Sequence, residues 1–406
     1  MLENTRRNNV FIISGGISMT SINYKLGLVV LIAVILLVVV VPVSAAVLTT
    51  SQFGALAQNA SGYVDGNPIG GGKGYSDIKT SGNCTATNST ELISCLGSVT
   101  SGQVVYVPGT AEINMTDVSP TLLDTTTIPA GVTIASNRGY GGSAGGRIFK
   151  LGETSDNGYR MFTTGGNNVR ITGLRIEADH PTHDAYVKEK EAIVNGFAGF
   201  QIDNCEISGW SVAAIEINSL NTTLLANALT TSELGSSMAN IHHNYIHNNQ
   251  ATGYGYGVVL DKGVALIKAN VFSLNGHSIA DTGASSDGYE ATYNIEFDLM
   301  HVYGHTFDVH GQIGGESGIA GNTFRYYHNT FYPQGDRKNI MIRGDPLNTA
   351  EISYNILANS TISACSGPST LYGCSVYQNG ATTVNITMAR NYIDGRYVAG
   401  SEVSHV

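Results

Sequence analysis

The chain has 406 residues and a formal net charge of −10, and charged residues make up only 13% of it. Its 49 glycines follow no Gly-X-Y period, which excludes a collagen-like chain, and the low charge content excludes a charged disordered one. The acidic balance excludes a broad electrostatic surface for nucleic acid. The composition predicts a turn-rich globular protein built of many short strands.

An uncharged apolar stretch follows a basic amino terminus. Residues 1–25 form a short leader, predicted to be cytoplasmic, and residues 26–46 read LGLVVLIAVILLVVVVPVSAA. About 20 apolar residues can cross a bilayer as a helix, with the basic side in the cytoplasm. Two interpretations stay open, a secretory signal peptide cut near Ala45 and a retained transmembrane anchor. Both place the remainder outside the cell or on its surface, and an anchor would make the membrane a partner.

The segments that follow divide into a linker, a body and a tail. Residues 47–64 are small, polar and uncharged, which is typical of a flexible linker. Residues 65–398 are predicted to form the folded body, and residues 399–406 a C-terminal tail. Seven N-x-S/T sequons fit an exported glycoprotein, and they lie at Asn59, Asn83, Asn88, Asn114, Asn221, Asn359 and Asn385.

The cysteines fall into two close pairs and one single residue. Cys84 and Cys95 form the first pair, and Cys365 and Cys374 form the second. In an exported chain such spacing predicts two local disulfides. Cys205 lies in the apolar string IDNCEI and is predicted to be a buried, inert thiol.

An asparagine repeat runs through the second half of the chain. An apolar residue, two further residues, Asn and another apolar residue recur as IHHNYI, IKANVF, YYHNTF, ISYNIL and MARNYI, with looser copies in ATYNIEF and IDNCEI. One coil of a solenoid cannot bury its own apolar face, so coils stack about 4.8 Å apart. Asn tolerates the left-handed conformation of tight turns, and stacked Asn side chains can hydrogen-bond between coils. The repeat therefore predicts a parallel β-helix, with ladder asparagines at Asn204, Asn244, Asn270, Asn294, Asn329, Asn355 and Asn391.

Several strings at the start of the body match a known pattern. The glycine-rich lead GGGKGYSD and the segment SDIKTSGNCTATNSTELISCL precede the strand QVVYVPG, and TTTIPAGVTIAS and NNVRITGLRIEAD follow as first coils. In these strings the chain resembles the pectin-lyase-like proteins. The resemblance implies an all-β, right-handed parallel β-helix with a short N-terminal capping helix, here preceded by the hydrophobic signal or anchor helix. The nearest strings to the catalytic motifs of polygalacturonase-like hydrolases stand in the wrong order, and the calcium-binding aspartates and arginine base of pectate lyases cannot be placed, so no site residue is carried over.

Histidines and carboxylates concentrate between residues 242 and 328. His277 and His301 each lie seven residues after a repeat Asn, and Asp281 and His305 each lie eleven after one. Coils in register therefore predict His277 over His301 and Asp281 over His305. A carboxylate one coil away from an imidazole can orient the ring and favour its protonated form.

A second predicted row lies four residues before the repeat asparagines and contains Glu290, Arg325 and Glu351. The position three before the Asn is mostly apolar and should point inward, so this row should point outward. It could grip a sugar chain, or it could be a solvated ion-pair ladder worth about 0–1 kcal/mol per pair.

The leading hypothesis is an extracellular enzyme that cleaves a polysaccharide or surface glycan in a groove along the solenoid. In elimination a neutral His, Lys or Tyr removes a proton beside a uronate carboxyl group, and in hydrolysis two carboxylates act. The candidate catalytic residues are Glu290, His305, Asp308, His310, His277, Asp281 and Tyr289. The candidate substrate-binding residues are Arg325, Lys262 and Glu351.

Two alternatives remain open. The string HVYGHTFDVHG could hold a divalent cation through His301, His305, Asp308 and His310. Such a site needs a turn, because residues three apart in a regular strand face opposite sides. Otherwise no cofactor is indicated, and Arg343 is interpreted as a turn residue. The rival to an enzyme is a non-catalytic surface, adhesion or glycan-binding module of the cell envelope.

Overall fold

The computed structural model describes residues 63–152, 159–179, 190–218, 238–297, 305–312, 315, 317–332, 338–357, 370–371, 375–378, 385–393 and 396–398. The predictions for residues 1–62, for the tail 399–406, for the pair Cys365 and Cys374 and for His301 lie outside these residues. Among the described residues, no helix combines the length and the apolar character needed to cross a membrane.

The described strands form three long sheets and one small hairpin, which consists of β1 (Tyr63–Val64) and β2 (Asn67–Pro68). Sheet I contains β3 (Cys84–Thr85), β4 (Val104–Tyr106), β6 (Thr133–Ala135), β9 (Arg170–Thr172), β12 (Gln201–Asp203), β15 (Ala239–His242), β18 (Val264–Lys268), β21 (Gly288–Thr292), β24 (Thr323–Tyr327), β27 (Thr349–Ser353) and β31 (Ile386–Ala389). Sheet II contains β5 (Glu112–Asn114), β7 (Arg147–Lys150), β10 (Arg175–Ala178), β13 (Glu206–Ser208), β16 (Tyr245–His247), β19 (Val271–Ser273), β22 (Ile295–Glu296), β25 (Thr330–Phe331), β28 (Ile356–Leu357), β32 (Asn391–Ile393) and β33 (Arg396–Val398). Sheet III contains β8 (Tyr159–Thr163), β11 (Lys190–Asn195), β14 (Ala213–Asn218), β17 (Tyr256–Asp261), β20 (His277–Asp281), β23 (His305–Val309), β26 (Lys338–Ile342), β29 (Thr370–Leu371) and β30 (Val376–Gln378).

The chain visits the three sheets in turn, and each strand pairs in parallel with the strand one coil away. For example, β18, β19 and β20 belong to sheets I, II and III, and β21 returns to sheet I beside β18. Within the three long sheets, the described pairs that run antiparallel are β29 with β30 and β32 with β33. This topology is a parallel β-helix, as the repeat predicted.

Sheet I supplies a continuous apolar column to the interior. The position three before each repeat Asn from Asn244 onward is buried, as the sequence predicted, because alternate side chains of a strand face the same side. Its paired members along the sheet are Ile134, Ile171, Ile202, Ile241, Ile267, Ala291, Tyr326, Ile352 and Met388.

The predicted asparagine ladder forms at the corner between sheets I and II. Asn294 Nδ2 donates to Asn329 Oδ1 at 3.0 Å and to the carbonyl of Ile267 at 2.8 Å, and the same pattern repeats from Asn244 to Asn391. The left-handed residue is the one before each Asn, such as Tyr293 with φ 56°. The chain thereby turns while the Asn side chain stays inside the corner.

One member of the predicted ladder is wrong. Ile202 pairs with Ile241, so Asn204 aligns with His243 and Cys205 aligns with Asn244. Asn204 is therefore the left-handed residue, with φ 55°. The amide of Cys205 takes the ladder bond by donating to Asn244 Oδ1 at 2.9 Å.

The amino end of the solenoid is closed by a short helix, α1 (Ser89–Ser98), which Asn88 caps by accepting from the Glu91 amide. It is shorter than the helical segment of the resemblance, because Cys84–Thr85 pairs as a strand with Val105–Tyr106. The predicted disulfide between Cys84 and Cys95 is present. A second helix, α2 (Pro120–Thr125), and a 3₁₀ turn, Tyr140–Gly142, lie between early strands.

The lone thiol lies inside the solenoid, and the segment before the solenoid packs along its outside. Cys205 is buried as predicted, and burial raises the pKa of its thiol to about 12. Residues 63–77, called the strap here, run along the outside of several coils. Ile69 packs with Tyr245 and Ile295, and Gly70 N donates to the carbonyl of Ala269 at 2.9 Å.

A carboxyl group buried in the interior makes stability depend on pH. Burial raises the pKa of Glu296 well above the usual glutamate value of 4.5, and Ser278 Oγ donates to its carboxyl group at 3.1 Å. The folded state therefore binds more protons than the unfolded state above pH 4.5, so stability falls as pH rises toward the folded-state pKa. Between pH 4.5 and that folded-state pKa, we expect the free energy of unfolding of Glu296→Gln to rise relative to the wild type by up to about 1.4 kcal/mol per pH unit. Urea unfolding at pH 4, 6 and 8 measures the difference, with Glu290→Gln on the preceding strand, β21, as control. A difference that does not depend on pH would contradict the assignment.

Candidate functional site: a histidine, aspartate and arginine cluster

The strands of sheet III share a local bend that selects which residues face outward. Side chains normally alternate across a strand, but the second and third residues of three of these strands are both fully buried. The consecutive buried residues are Ser278 and Ile279, Thr306 and Phe307, and Asn339 and Ile340. The first and fourth residues of a strand therefore lie on the same outer face, which brings His305 and Asp308 together.

The cluster centres on the carboxylate of Asp308, which is fully buried. Its Oδ2 lies 3.1 Å from Nε2 of His305, 3.1 Å from Nε2 of His310 and 3.9 Å from Nε2 of His277. Arg343 donates through Nε to Oδ1 at 2.9 Å and through Nη2 to Oδ2 at 2.6 Å. Arg343 Nη2 also contacts Nε2 of His305. One carboxylate thus joins residues of three coils.

The rings of the cluster are ordered by stacking and by backbone carbonyls. His277 stacks on His305 with ring centroids 4.5 Å apart. Tyr256, from the preceding coil, stacks on His277 with ring centroids 5.5 Å apart. Nδ1 of His277 lies 3.2 Å from the carbonyl oxygen of His305, and Nδ1 of His310 lies 2.5 Å from that of Asp281. Because a carbonyl oxygen only accepts, Nδ1 carries the proton in both rings.

Burial and charge act in opposite directions within the cluster. Burial lowers the pKa of His277 to about 3, so this ring is neutral at physiological pH. Burial also acts to lower the pKa of His310, but the hydrogen bond and charge of Asp308 outweigh it and raise that pKa. Burial opposes ionisation of Asp308, yet His305, His310 and His277 together hold its pKa well below the usual range. The carboxylate therefore stays charged inside the cluster.

The predicted register between the histidines is wrong. Ile279 pairs with Phe307, which aligns His277 with His305 rather than with His301. Asp281 pairs with Val309 and not with His305. The segment between the repeat Asn and the sheet III strand is four residues longer in this coil than in the coil before it. Counting from Asn294 therefore misplaced every residue beyond that segment.

Two predicted catalytic residues lie in the interior. Asp281 aligns with the core residue Val309, is fully buried, and accepts from the Gly283 amide at 2.8 Å. Burial raises the pKa of Asp281 well above its usual value. Tyr289 is 1% exposed, and its hydroxyl pairs with that of Tyr326 at 2.9 Å. Neither side chain reaches the outer face, so the predicted grouping with His305 does not form.

The charged row exists but on another sheet. Glu290 pairs with Arg325, and Arg325 with Glu351, in the predicted register along sheet I. Their charged atoms lie 3.8 Å and 4.0 Å apart. Lys262 is an exposed turn residue with a left-handed backbone conformation, and its Nζ lies 3.9 Å from Asp261 Oδ1. The row is therefore separate from the cluster on sheet III, and these residues do not form one groove.

Sequence reasoning missed Arg343 and Tyr256. Arg343 lies five residues after Lys338, which pairs with His305, so it aligns with His310. Tyr256 pairs directly with His277. A count made along sheet III, rather than from the asparagines of the opposite corner, would have found both.

The strand pairing and the cluster define the class, a parallel β-helix protein with a polar site on the outer face of one sheet. No model of a known protein family matches the chain, and no curated protein matches it. Among solved structures, it is similar to an alginate lyase from Paenibacillus sp. str. FPU-7, with 13% identity and a TM-score of 0.38 over 76% of this chain and 98% of that one. It is also similar to a mutant pectate lyase from Bacillus subtilis, with 12% identity and a TM-score of 0.36 over 78% and 82%. The fold stated above rests on the strand pairing and not on these likenesses.

Proposed function

We propose that the protein is an extracellular or cell-surface enzyme that cleaves an acidic polysaccharide at the sheet III cluster. The observation that carries the proposal is the composition of the cluster, which unites three imidazoles, one guanidinium and one carboxylate on the outer face of the solenoid. Tyr256, partly exposed one coil away, extends this face with an aromatic ring.

The composition favours β-elimination over hydrolysis. Hydrolysis needs two carboxylates on opposite sides of the scissile bond, whereas Asp308 is the one carboxylate that the described residues bring into this cluster. In elimination an imidazole removes the proton beside the uronate carboxyl group, the bond to the glycosidic oxygen breaks, and a carbon–carbon double bond forms. The leaving oxygen takes a proton from a second imidazole. Arg343 would offset the charge that develops on the uronate, and Asp308 would hold Arg343 and both imidazoles in place.

The experiment is a cleavage assay on a panel of uronate-containing polysaccharides, read by the ultraviolet absorbance of the unsaturated product. We expect His305→Ala and His310→Ala each to lower kcat/KM by at least about 10²-fold. His247→Ala is the matched control, because His247 also faces a carboxylate, Glu206 at 3.2 Å, but lies on sheet II. Reducing ends without unsaturated products would favour hydrolysis, and no cleavage across the panel would contradict the enzyme proposal.

A second candidate function, a non-catalytic glycan-binding or adhesion module, is favoured by an exposed aromatic column. Tyr293, His328 and Tyr354 stack at 4.8 Å and 5.2 Å, and the guanidinium of Arg390 lies over Tyr354. Tyr354 is 44% exposed, and half-exposed aromatic rings are enriched at binding surfaces. Retention on immobilised glycans without cleavage, lost in Tyr354→Ala, would support the module.

Export, by a cut signal or a retained anchor at residues 26–46, is part of both proposals. It is supported by the apolar stretch and by the disulfide between Cys84 and Cys95, which belongs to an oxidising compartment. Amino-terminal sequencing of the mature chain tests it, since an intact amino terminus in the soluble cytoplasmic fraction would contradict export.

A further inference from the structure

The ligating atoms of the sheet III cluster converge on one oxygen of the Asp308 carboxylate. His277, His305 and Asp308 each offer one ligating atom, and these three atoms all lie within 4.8 Å of one another. Nε2 of His310 lies 3.1 Å from the same oxygen. Four ligands about 2.0–2.1 Å from a tetrahedral ion are about 3.3 Å from each other. The separations of 3.1 Å, 3.1 Å and 3.9 Å from Asp308 Oδ2 are close to that value.

The backbone fixes two of the imidazoles in the orientation of metal ligands. Carbonyl oxygens accept from Nδ1 of His277 and of His310, so Nε2 of each ring is the nitrogen that faces the carboxylate. Metal-binding histidines almost always donate the second ring nitrogen to a carbonyl or carboxylate, which fixes the tautomer. A metal ion between these atoms would accept the Nε2 lone pairs of the neutral rings and offset the charge of the carboxylate.

We propose that this cluster binds one divalent transition-metal ion through Nε2 of His277, His305 and His310 and Oδ2 of Asp308. Three imidazoles and one carboxylate suit zinc and its first-row neighbours. Calcium and magnesium prefer oxygen ligands and do not fit this set. Compared with the set predicted from the sequence, His277 takes the place of His301, because the register of sheet III brings it over His305.

Arg343 is the group that competes with such an ion. Its Nη2 donates to Asp308 Oδ2, the oxygen that the metal would use, while its Nε donates to Oδ1. The ion takes the place of Nη2 on Oδ2, and the bond from Nε to Oδ1 then supports the carboxylate from outside. Removal of the guanidinium should therefore strengthen metal binding, whereas removal of a ligand should weaken it.

Metal binding uses the same imidazoles as the proposed elimination, so the loaded protein tests this inference and the stripped protein tests the proposed function. The full chain, stripped with a chelator, is titrated with Zn²⁺ by calorimetry and with Co²⁺ by its visible absorption, which reports tetrahedral coordination. Glycan cleavage is measured separately on the loaded and the stripped protein. Binding without cleavage would contradict only the proposed function, and cleavage by a protein that binds no metal would contradict only this inference.

We expect the wild type to bind one equivalent of each ion and no Ca²⁺ or Mg²⁺ under the same conditions. His277→Ala and His310→Ala should each weaken binding at least about tenfold, and His247→Ala should leave it unchanged. Arg343→Gln should strengthen binding by about tenfold, because it removes a charged hydrogen bond that the ion must displace. The inference is overturned if the folded wild type binds neither ion, or if binding survives unchanged in both histidine variants.

Discussion

Replacing Asp308 with Asn is expected to lower the free energy of unfolding by about 3–5 kcal/mol at pH 7. The carboxylate is fully buried and accepts two hydrogen bonds from Arg343, whose side chain is only 11% exposed. Asparagine keeps the shape of the side chain but removes its charge. The guanidinium and the neighbouring imidazoles then lose their counter-ion inside the protein. Urea unfolding followed by circular dichroism measures the change.

Asp261→Asn is the matched control, because Asp261 also lies on sheet III but its side chain is 37% exposed. Its free energy of unfolding should stay within about 0.5 kcal/mol of the wild type.

The loss of stability caused by Asp308→Asn should become smaller in acid. Although burial opposes it, His305 and the other histidines lower the pKa of Asp308 below the usual aspartate value of 3.8. The stabilisation is therefore present above pH 3.8 and is lost as pH falls through the folded-state pKa. A variant as stable as the wild type at pH 7 would refute the ion-pair assignment.

Replacing Asn294 with Ala is expected to cost about 3 kcal/mol or more. Asn294 Oδ1 accepts from the amide and from Nδ2 of Asn270, at 3.0 Å and 3.1 Å. Its Nδ2 donates to Asn329 Oδ1 and to the carbonyl of Ile267. Alanine removes all four bonds and leaves their buried partners in two coils without them, so the damage spreads along the corner. Thermal unfolding would report it as a lower Tm.

Asn348→Ala tests whether the ladder, and not asparagine content, carries this stability. Asn348 is exposed, and its side chain donates to Thr323 Oγ1 at 3.0 Å. We expect a change within about 0.5 kcal/mol. Similar costs for the two variants would mean that the ladder is not a special source of stability.

The sequence predicted features that lie close to the asparagines and within one strand. The inward column and the row of Glu290, Arg325 and Glu351 are in the predicted register, because each lies three or four residues from its ladder Asn in the same sheet I strand. Over so short a distance the period of two leaves little freedom. The fold could be predicted for the same reason, since one coil repeated in register determines the next.

The cluster could not be predicted from the same reference point. His305 lies eleven residues beyond Asn294, across a segment whose length differs between coils. Equal spacing from the asparagines therefore does not mean equal position in sheet III. Asp308 was expected to face away from His305, but Thr306 and Phe307 both turn inward and bring the two residues to one face. Arg343 comes from the following coil, and no local pattern in the sequence connects it with Asp308.

The strap gives the protein a particular response to mechanical load. Residues 63–77 are fastened to three coils of the solenoid: Asp65 and Gly70 N contact the consecutive residues Lys268 and Ala269, Gly72 N donates to Asn204 Oδ1, and Asp77 pairs with Arg170. Tension applied through the residues before position 63 would be shared by these fastenings at once. The load would act in shear across several coils instead of peeling the first coil from the end of the stack.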